Sequence, residues 1–219
     1  MEISSKSYRA QAVTNRIIDS LWNSGQPNRA ALSGLRTAKT ISSHQAVSAW
    51  PALLGFIPEE ELSRTGKPTR GEIAIFTAVR AFALYQQGNN ERLLNKDGGK
   101  TVMEALSLLR AGDPNQQAAL DRRTENLLST TQLSSLLHQL ISIVSIVKSK
   151  GDGGPLDLGQ LARDLYEFQT HVGAYNGAQK VILRWGQQYY AGHHSERNSE
   201  EKYRTQQKHL GGIYHVYRH

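Results

Sequence analysis

The stretch from Ile73 to Leu84 constrains the fold of this chain more than any other part of its sequence. Its apolar residues are spread around almost the whole circumference of a helix: Ile73, Ile75, Phe76, Val79, Phe82, Ala83 and Leu84. A helix that is apolar on all sides must be surrounded by other elements, because it has no face to turn to water. The sequence therefore predicts a buried central helix inside a bundle of further helices.

Helical periodicity extends over most of the chain, and no segment shows the sustained alternation of a strand. We predict an all-α fold of two packed helical bundles and about nine helices. The predicted helices cover residues 7–23, 28–38, 44–54, 70–87, 101–110, 116–128, 131–148, 158–170 and 175–191. The predicted domains are an N-terminal bundle (1–112), a C-terminal bundle (113–191) and a polar, His-rich tail (192–219). The run from Gly151 to Pro155 either separates two lobes or forms an ordinary interhelical loop.

The absence of cysteine excludes disulfides, thiolate metal sites and cysteine nucleophiles. The amino end is polar and charged, so it does not read as a signal peptide. The longest apolar stretch, residues 133–147, is interrupted by serine, histidine and glutamine and is too short and too polar to span a bilayer. We expect a cytoplasmic protein with no membrane contact.

Three patterns that could indicate catalysis or a cofactor fail on inspection. Gly99, Lys100 and Thr101 resemble the end of a phosphate-binding loop, but Leu94 stands where the motif needs its first glycine, and no strand precedes it. The glutamates at 59–61 are adjacent in sequence, a pattern typical of a helix start rather than of an acid–base pair. The tail histidines lack the spacing of a metal-ligand set: His193, His194, His209, His215 and His219. We therefore predict no catalytic residue, no metal site and no cofactor.

Basic residues outnumber acidic ones by 26 to 19, which gives a net charge of +7 and suits a polyanionic partner. The first 57 residues alone carry six basic and two acidic side chains. Arg29 and Arg36 are seven residues apart and therefore share one face of a predicted helix. Lys180 and Arg184 form a second basic stripe, which is either a solvated face or a contact surface.

Arg80 lies inside the apolar central helix, where a freely solvated arginine is not expected. Two alternatives follow from this position. Arg80 either pairs with a buried carboxylate or reaches through to a partner.

Seven sequence blocks occur in the order found in one known family. The blocks are RAALSGLRTA (29–38), AVSAWPALL (46–54), TAVRAFALYQQG (77–88), LDRRTENLLST (120–130), LLHQLISIVSIVKSKG (136–151), PLDLGQLARDLYEF (155–168) and VILRWGQQYY (181–190). In this order and spacing the chain resembles the small subunit (CasB) of Cascade, the type I-E CRISPR surveillance complex. The resemblance covers residues 7–191 and leaves out the tail.

The resemblance implies a non-catalytic, all-α subunit that assembles as a head-to-tail pair with a second copy of itself beside other Cascade subunits. It implies contact with the backbones of the guide RNA and of the target and non-target DNA, so that the subunit stabilises the opened duplex in antiviral defence. The residues that match basic positions of the family are Arg36, Arg70, Lys96, Arg122 and Arg123; together with Arg29, which shares a helix face with Arg36, they are expected to contact phosphate. The chain departs from the pattern at His138 and Gln139, where some relatives have arginine, and at Ser129 and Gln132.

Two other functions remain open from the residues alone. The chain could be a basic helical scaffold that contacts only acidic protein neighbours. It could also be a metal-dependent hydrolase that uses the His-rich tail, although no complete ligand set supports this.

Overall fold

Helices form nearly all of the regular structure in the ranges that this computed structural model describes, which are residues 2–23, 25–89, 99–151, 154–172 and 174–191. The α-helices of these ranges are α1 (Glu2–Ser20), α2 (Arg29–Thr37), α3 (Trp50–Leu54), α4 (Arg70–Gln86), α5 (Val102–Gly112), α6 (Pro114–Leu128), α7 (Leu133–Lys150), α8 (Leu158–Phe168) and α9 (177–191). The short 3-10 helices are His44–Ala49 and Glu59–Glu61. The prediction of an all-α fold is confirmed.

The described strands form two small antiparallel hairpins, each with two residues per strand. Strand β1 (Trp22–Asn23) pairs with β2 (Gln26–Pro27), and β3 (His171–Val172) pairs with β4 (Tyr175–Asn176). Gly25 has a φ of 77° in the first hairpin, a conformation that a residue with a side chain rarely adopts. These hairpins turn the chain between helices and contribute no sheet to the core.

Helix α4 is the buried centre of the fold, as its apolar circumference predicts. It packs against α1, α2, α7 and α8. Its N-terminus is closed by a capping box, in which Glu72 N–H donates to Thr69 Oγ1 and Thr69 N–H donates to Glu72 Oε2. These bonds satisfy two of the backbone donors that a helix start leaves free. The cap thus fixes where α4 begins.

The segment predicted as one helix over residues 44–54 is divided in the structure. It is a 3-10 helix over His44–Ala49, followed by α3. Pro51 explains the division, because it has no N–H to continue an α-helical ladder but is tolerated in the first turn of a new helix. The backbone of Gln45 lies so close to Gly34 of α2 that a Cβ there would clash with it. This close approach places the 3-10 helix directly against α2.

The Gly-Lys-Thr sequence before α5 forms a helix cap and a chain connection instead of a phosphate loop. Thr101 and Glu104 form a second capping box. Lys100 N–H donates to the Pro155 carbonyl at 3.1 Å, and Asp157 N–H donates to the Lys100 carbonyl at 2.9 Å. Residues of this motif therefore tie the start of α5 to the start of α8.

Helices from the two predicted domains contact each other. Helix α1 packs on α8, and α4 packs on both α7 and α8, so contacts cross the boundary predicted at residue 112. The division into two domains stays a prediction. In the described ranges no helix combines the length and the apolar character needed to cross a membrane. The predicted tail, residues 192–219, lies outside the described residues.

Candidate nucleic-acid interface

Arg29 and Arg36 line one depression, which we call the cationic groove. It has a volume of about 430 Å³ and lies between α2, the first hairpin and the end of α4. Its other lining residues are Trp22, Gly25, Gln26, Pro27, Leu32, Gln86, Gln87, Gly88 and Asn89. Arg29 stands in the first turn of α2, where the positive end of the helix dipole disfavours a cation. Its position therefore does not serve the stability of α2, and its exposed side chain remains available to a ligand.

Lys148 adds a third cation beside this groove. Its Nζ donates a hydrogen bond of 3.2 Å to Oε1 of Gln87, a lining residue. Burial lowers the pKa of Lys148, and the positive charge of Arg36 lowers it further. Within the described part of the chain, neither Arg36 nor Lys148 forms an ion pair. The fold thus holds two like charges near each other without a carboxylate to compensate them.

Sequence reasoning missed Lys148, because no pattern along the chain relates it to Arg36. The lysine lies in the last turn of α7, where a cation is usually explained by the helix dipole. That local explanation gives no reason to expect Lys148 near Arg36. The proximity to Arg36 arises only from the packing of α2 and α7 around α4.

Arg80 is half-buried on α4, and its Nε makes no hydrogen bond. Burial lowers its pKa. No carboxylate of the described residues pairs with it, so the first alternative, a buried ion pair, is wrong for this part of the chain. Arg80 precedes Gln87 by seven residues, which is about two turns along the same face and about 10 Å. The face of α4 that carries Arg80 therefore ends at Gln87, which lines the cationic groove.

A second depression, which we call the α6–α7 groove, contains one of the predicted arginines. It has a volume of about 500 Å³ and is lined by Arg123, Asn126, Ser129, Thr130, His138, Gln139, Ser142 and Ile143. Three of the four positions named above as departures from the resemblance, Ser129, His138 and Gln139, are in this lining. Gln139 is held in place because its Nε2 donates to Thr130 Oγ1 at 2.8 Å. This groove is therefore polar, and Arg123 is the one arginine in its lining.

The two grooves lie on different flanks of α7. Gln139 and Lys148 are nine residues apart, which corresponds to two and a half turns and places them on opposite sides of the helix. The buried stripe of α7, which includes Leu140 and Val144, lies between them. One straight phosphate chain cannot follow both grooves along a single face.

The other predicted positions are spread over the surface. Arg122 is exposed on α6 but does not line the α6–α7 groove. Arg70 is exposed at the start of α4, at the end opposite Gln86 and Gln87, and its carbonyl accepts a bond from Gln169. Lys96 lies outside the described residues. The structure thus brings Arg29 and Arg36 together, and it does not join Arg70, Arg122 or Arg123 to them.

Arg184 belongs to a network that we call the paired cluster, made of Arg163, Asp164, Glu167 and Arg184 on α8 and α9. Arg184 forms ion pairs with Asp164 and with Glu167, the latter at 2.7 Å. Arg163 pairs with Glu167 at 3.2 Å. The basic stripe predicted at Lys180 and Arg184 is therefore neither a solvated face nor a ligand surface at Arg184.

The two carboxyls of the paired cluster are perturbed in opposite directions. Burial raises the pKa of Asp164, although Trp185 Nε1 donates to it at 2.7 Å and Arg184 lies beside it. Burial also acts to raise the pKa of Glu167, but hydrogen bonds and positive charge from Arg184 and Arg163 outweigh it and lower the value. Glu167 is thus held as an anion that compensates both arginines.

Gly177 at the start of α9 makes this network possible. A Cβ at this position would clash with the backbone carbonyls of Glu167 and Thr170. Gly177 N–H also donates to the Thr170 carbonyl at 2.9 Å. The close approach places α9 against the end of α8, where Arg184 can reach both carboxylates.

In the described ranges, no group of three histidine, aspartate or glutamate side chains is arranged to hold a metal ion. The tail histidines are outside these ranges. The grooves offer hydrogen-bond donors and positive charge, which suit the binding of phosphate.

Residues 28–190 match the sequence model of a family described as CRISPR-associated protein Cse2. Two solved structures are similar to the fold. CasB from Thermobifida fusca has 24% identity and a TM-score of 0.59, and the match covers 84% of this chain and 98% of that chain. A CRISPR-associated protein of the Cse2 family from Thermus thermophilus has 18% identity and a TM-score of 0.55, covering 84% and 97%. No curated protein matches the sequence.

Proposed function

We propose, since this chain belongs to the Cse2 family of CRISPR-associated proteins, that it is the non-catalytic small subunit of a type I-E Cascade complex. In this role it stabilises the hybrid of guide RNA and target DNA, and the displaced non-target strand, through sequence-independent contacts to phosphate. The observation that carries the phosphate role is the uncompensated pair of Arg36 and Lys148 beside the cationic groove.

Arg36 and Lys148 are arranged as expected for an anion site. Two neighbouring cations repel each other, and the lowered pKa of Lys148 records part of that cost. A phosphate bound between them would compensate both charges and release counterions from the nucleic acid. Arg29 would extend the contact along α2, and the half-buried Arg80 would extend it along α4. In this role none of these groups would read a base edge, so base pairing would supply the sequence specificity.

In the proposed assembly, a small number of cations on each subunit is enough to hold the nucleic acid, because several subunits contact it together. The cationic groove and the α6–α7 groove lie on different flanks of α7, so each would contact a different stretch of nucleic acid. The proposed partners are other Cascade subunits, a second copy of the chain in a head-to-tail pair, and the nucleic-acid backbones, all in the cytoplasm. Several weak contacts held in one assembly bind more tightly than any one of them alone. Arg70, Lys96, Arg122 and Arg123 are proposed as further contacts in this setting.

A reconstituted complex tests the proposal. The complex is assembled from guide RNA, the other subunits and either the wild-type chain or the double variant Arg36→Glu, Lys148→Glu. We expect the variant to shorten the lifetime of the opened target by about tenfold or more near 0.15 M salt, because repulsion replaces two phosphate contacts. The dependence of the lifetime on salt should also become weaker.

Arg16→Glu is the matched control, because Arg16 is exposed on α1 and forms no ion pair in the described part of the chain. It should leave the lifetime near the wild-type value. Equal lifetimes for wild type and the groove variant at every salt concentration would show that Arg36 and Lys148 do not contact phosphate. Such a result, with normal incorporation of the chain, would favour the scaffold that contacts only acidic proteins. The double variant Arg122→Ala, Arg123→Ala is expected to give a smaller loss, because its arginines do not share one groove.

A further inference from the structure

Exposed apolar side chains are concentrated, along the sequence, at the 3-10 helix His44–Ala49, at α3 and just after it. Seven large apolar side chains are exposed in the described ranges, and three of them fall within ten residues: Val47, Trp50 and Phe56. Val47 and Trp50 are three residues apart at the end of the 3-10 helix, a spacing that puts side chains above one another. Such a concentration of exposed apolar surface is typical of a protein contact.

Trp50 also lines a depression of about 300 Å³, which we call the Trp50 groove. It is lined by Ile41, Ser42, Trp50, Leu54, Ser63, Gly66, Pro68 and Glu72. The indole is fixed in place, since Trp50 Nε1 donates to the Ile41 carbonyl at 3.0 Å. The close contact between Gly34 and Gln45 holds the preceding 3-10 helix against α2. The apolar part of the groove is therefore preformed, which reduces the entropy lost when a partner binds.

Ser63 provides a polar contact point in the Trp50 groove. Its Oγ is buried and has no hydrogen-bond partner. The neighbouring carboxylate is already engaged, because Glu72 accepts from Ser63 N–H at 3.2 Å and from Thr69 N–H at 2.6 Å. An unpartnered buried hydroxyl costs free energy, and a bound carbonyl or carboxylate would remove that cost. The groove thus combines an apolar floor with one free donor.

Three exposed cations follow or precede the residues that line this groove. Lys39 lies two residues before Ile41, Arg64 follows Ser63, and Lys67 lies between Gly66 and Pro68. None of the three forms an ion pair in the described part of the chain. A partner that carries carboxylates near an apolar anchor would complement both the charge and the floor.

We propose that the Trp50 groove is a protein-docking surface that binds an acidic segment of a neighbouring subunit, with one large apolar side chain inserted beside Trp50. The inference rests on the proposed function only in that the neighbour belongs to the same assembly. A protein segment fits better than nucleic acid, because Trp50 is the one aromatic ring in the lining and the other apolar lining residues, Ile41, Leu54 and Pro68, are not aromatic, whereas a single-strand platform stacks successive bases on several rings. An apolar anchor in a preformed pocket surrounded by polar groups is the usual centre of a protein interface.

Two surface variants of the full chain test this docking surface in the reconstituted complex. Val47→Ser, Phe56→Ser removes exposed apolar side chains, and Arg64→Glu, Lys67→Glu reverses the charge of the rim. Neither variant alters the Trp50 hydrogen bond, and thermal melting of each isolated chain verifies that it is folded. The readout is the protein concentration needed for half-maximal incorporation into the complex, measured by native mass spectrometry.

We expect both variants to raise that concentration by about tenfold, which corresponds to about 1.4 kcal/mol of binding free energy. Leu183→Ser, at an exposed apolar position of α9, and Arg16→Glu are the matched controls and should change it by less than about twofold. Wild-type incorporation of both surface variants would overturn the inference. An equal loss in the Leu183→Ser control would overturn it as well, because the effect would not be specific to this surface.

A second measurement on the same preparations, the retention of the opened target, distinguishes the docking surface from the proposed phosphate contacts. A surface variant that is forced into the complex at high concentration should retain the opened target as well as wild type. The variant Arg36→Glu, Lys148→Glu should show the reverse, with normal incorporation and weak retention. If the surface variants incorporate normally but lose retention, the Trp50 groove contacts nucleic acid and the protein-docking inference is wrong. Failure of the wild-type chain to incorporate would contradict the proposed function, and the inference would fall with it.

Discussion

The paired cluster and the cationic groove use the same residue types in opposite ways. In the paired cluster, Arg184 contacts two buried carboxylates, and Arg163 shares one of them. In the cationic groove, Arg36 lies near Lys148, and neither has a carboxylate partner among the described residues. The first arrangement neutralises charge within the fold, whereas the second leaves positive charge at the surface of a concave site.

This difference separates a structural arginine from a binding arginine. A cation with buried anionic partners is already compensated, and moving it to a phosphate would leave those anions uncompensated. A cation held near another cation is destabilised in the free protein and gains from any anion that approaches. The partners of a basic residue, rather than its exposure or its place on a helix, therefore indicate its function.

The largest effect should come from Arg184→Ala in the paired cluster. The change leaves Asp164 without its guanidinium and Glu167 with Arg163 as its remaining cation, so the free energy of unfolding should fall by about 3 kcal/mol. This value is the low end for a buried pair, because the Arg184 side chain is 29% exposed. Chemical denaturation of the isolated chain measures it. A loss below about 1 kcal/mol would remove the contrast between the two regions.

A second compensated ion pair, Arg110 with Asp121, makes the stability of the fold depend on pH. Hydrogen bonds from Arg110, at 2.7 Å, and from the Tyr189 hydroxyl, at 2.8 Å, lower the pKa of Asp121. A carboxyl with a lowered pKa in the folded state stabilises the fold above its unfolded pKa of about 3.9, and this stabilisation is lost as the pH falls through the folded value.

We expect Asp121→Asn to cost about 1.5 kcal/mol at pH 7, since it replaces charge-assisted bonds at a partly exposed site. The difference between wild type and variant should be constant from pH 7 to pH 5 and should shrink below about pH 4. Urea denaturation at several pH values checks this. A difference that persists unchanged at the lowest pH would mean that the carboxylate charge at Asp121 contributes nothing.

Arg80→Met should raise the free energy of unfolding, whereas Arg184→Ala and Asp121→Asn lower it. It removes a half-buried charge with an unsatisfied Nε and keeps an apolar chain of similar length, so the isolated protein should gain about 1 kcal/mol. The same change should shorten the lifetime of the opened target in the complex by a few-fold. Denaturation and the lifetime assay give both values. A loss of stability would show that Arg80 supports the fold and belongs with the paired arginines.

The smallest effect on stability is expected for Lys148→Met. Relief of the repulsion from Arg36 should roughly offset the lost hydrogen bond to Gln87. The free energy of unfolding should therefore change by less than about 0.5 kcal/mol. Retention of nucleic acid should nevertheless weaken, and its salt slope should fall by about one. Lys150→Met, in the same last turn of α7, is the control and should leave the slope unchanged. Equal slopes for both variants would place the phosphate contact elsewhere.

Much of the fold could be predicted from the sequence because helix formation depends on neighbours along the chain. The apolar circumference of residues 73–84 identified the central helix, which spans Arg70–Gln86 in the structure. The prediction failed where one residue changed the helix type, as at Pro51.

The basic face of α2 was likewise predictable, because Arg29 and Arg36 are related by helical periodicity alone. Tertiary structure decided the rest. Arg184 reaches Asp164 across 20 residues of sequence only because α9 folds back on α8, and Lys148 comes near Arg36 only because α2 and α7 both pack on α4. The sequence by itself determined which residues are basic and on which helix face they lie. Whether a carboxylate or another cation stands opposite each of them depends on helix packing, which brings together side chains that no local pattern relates.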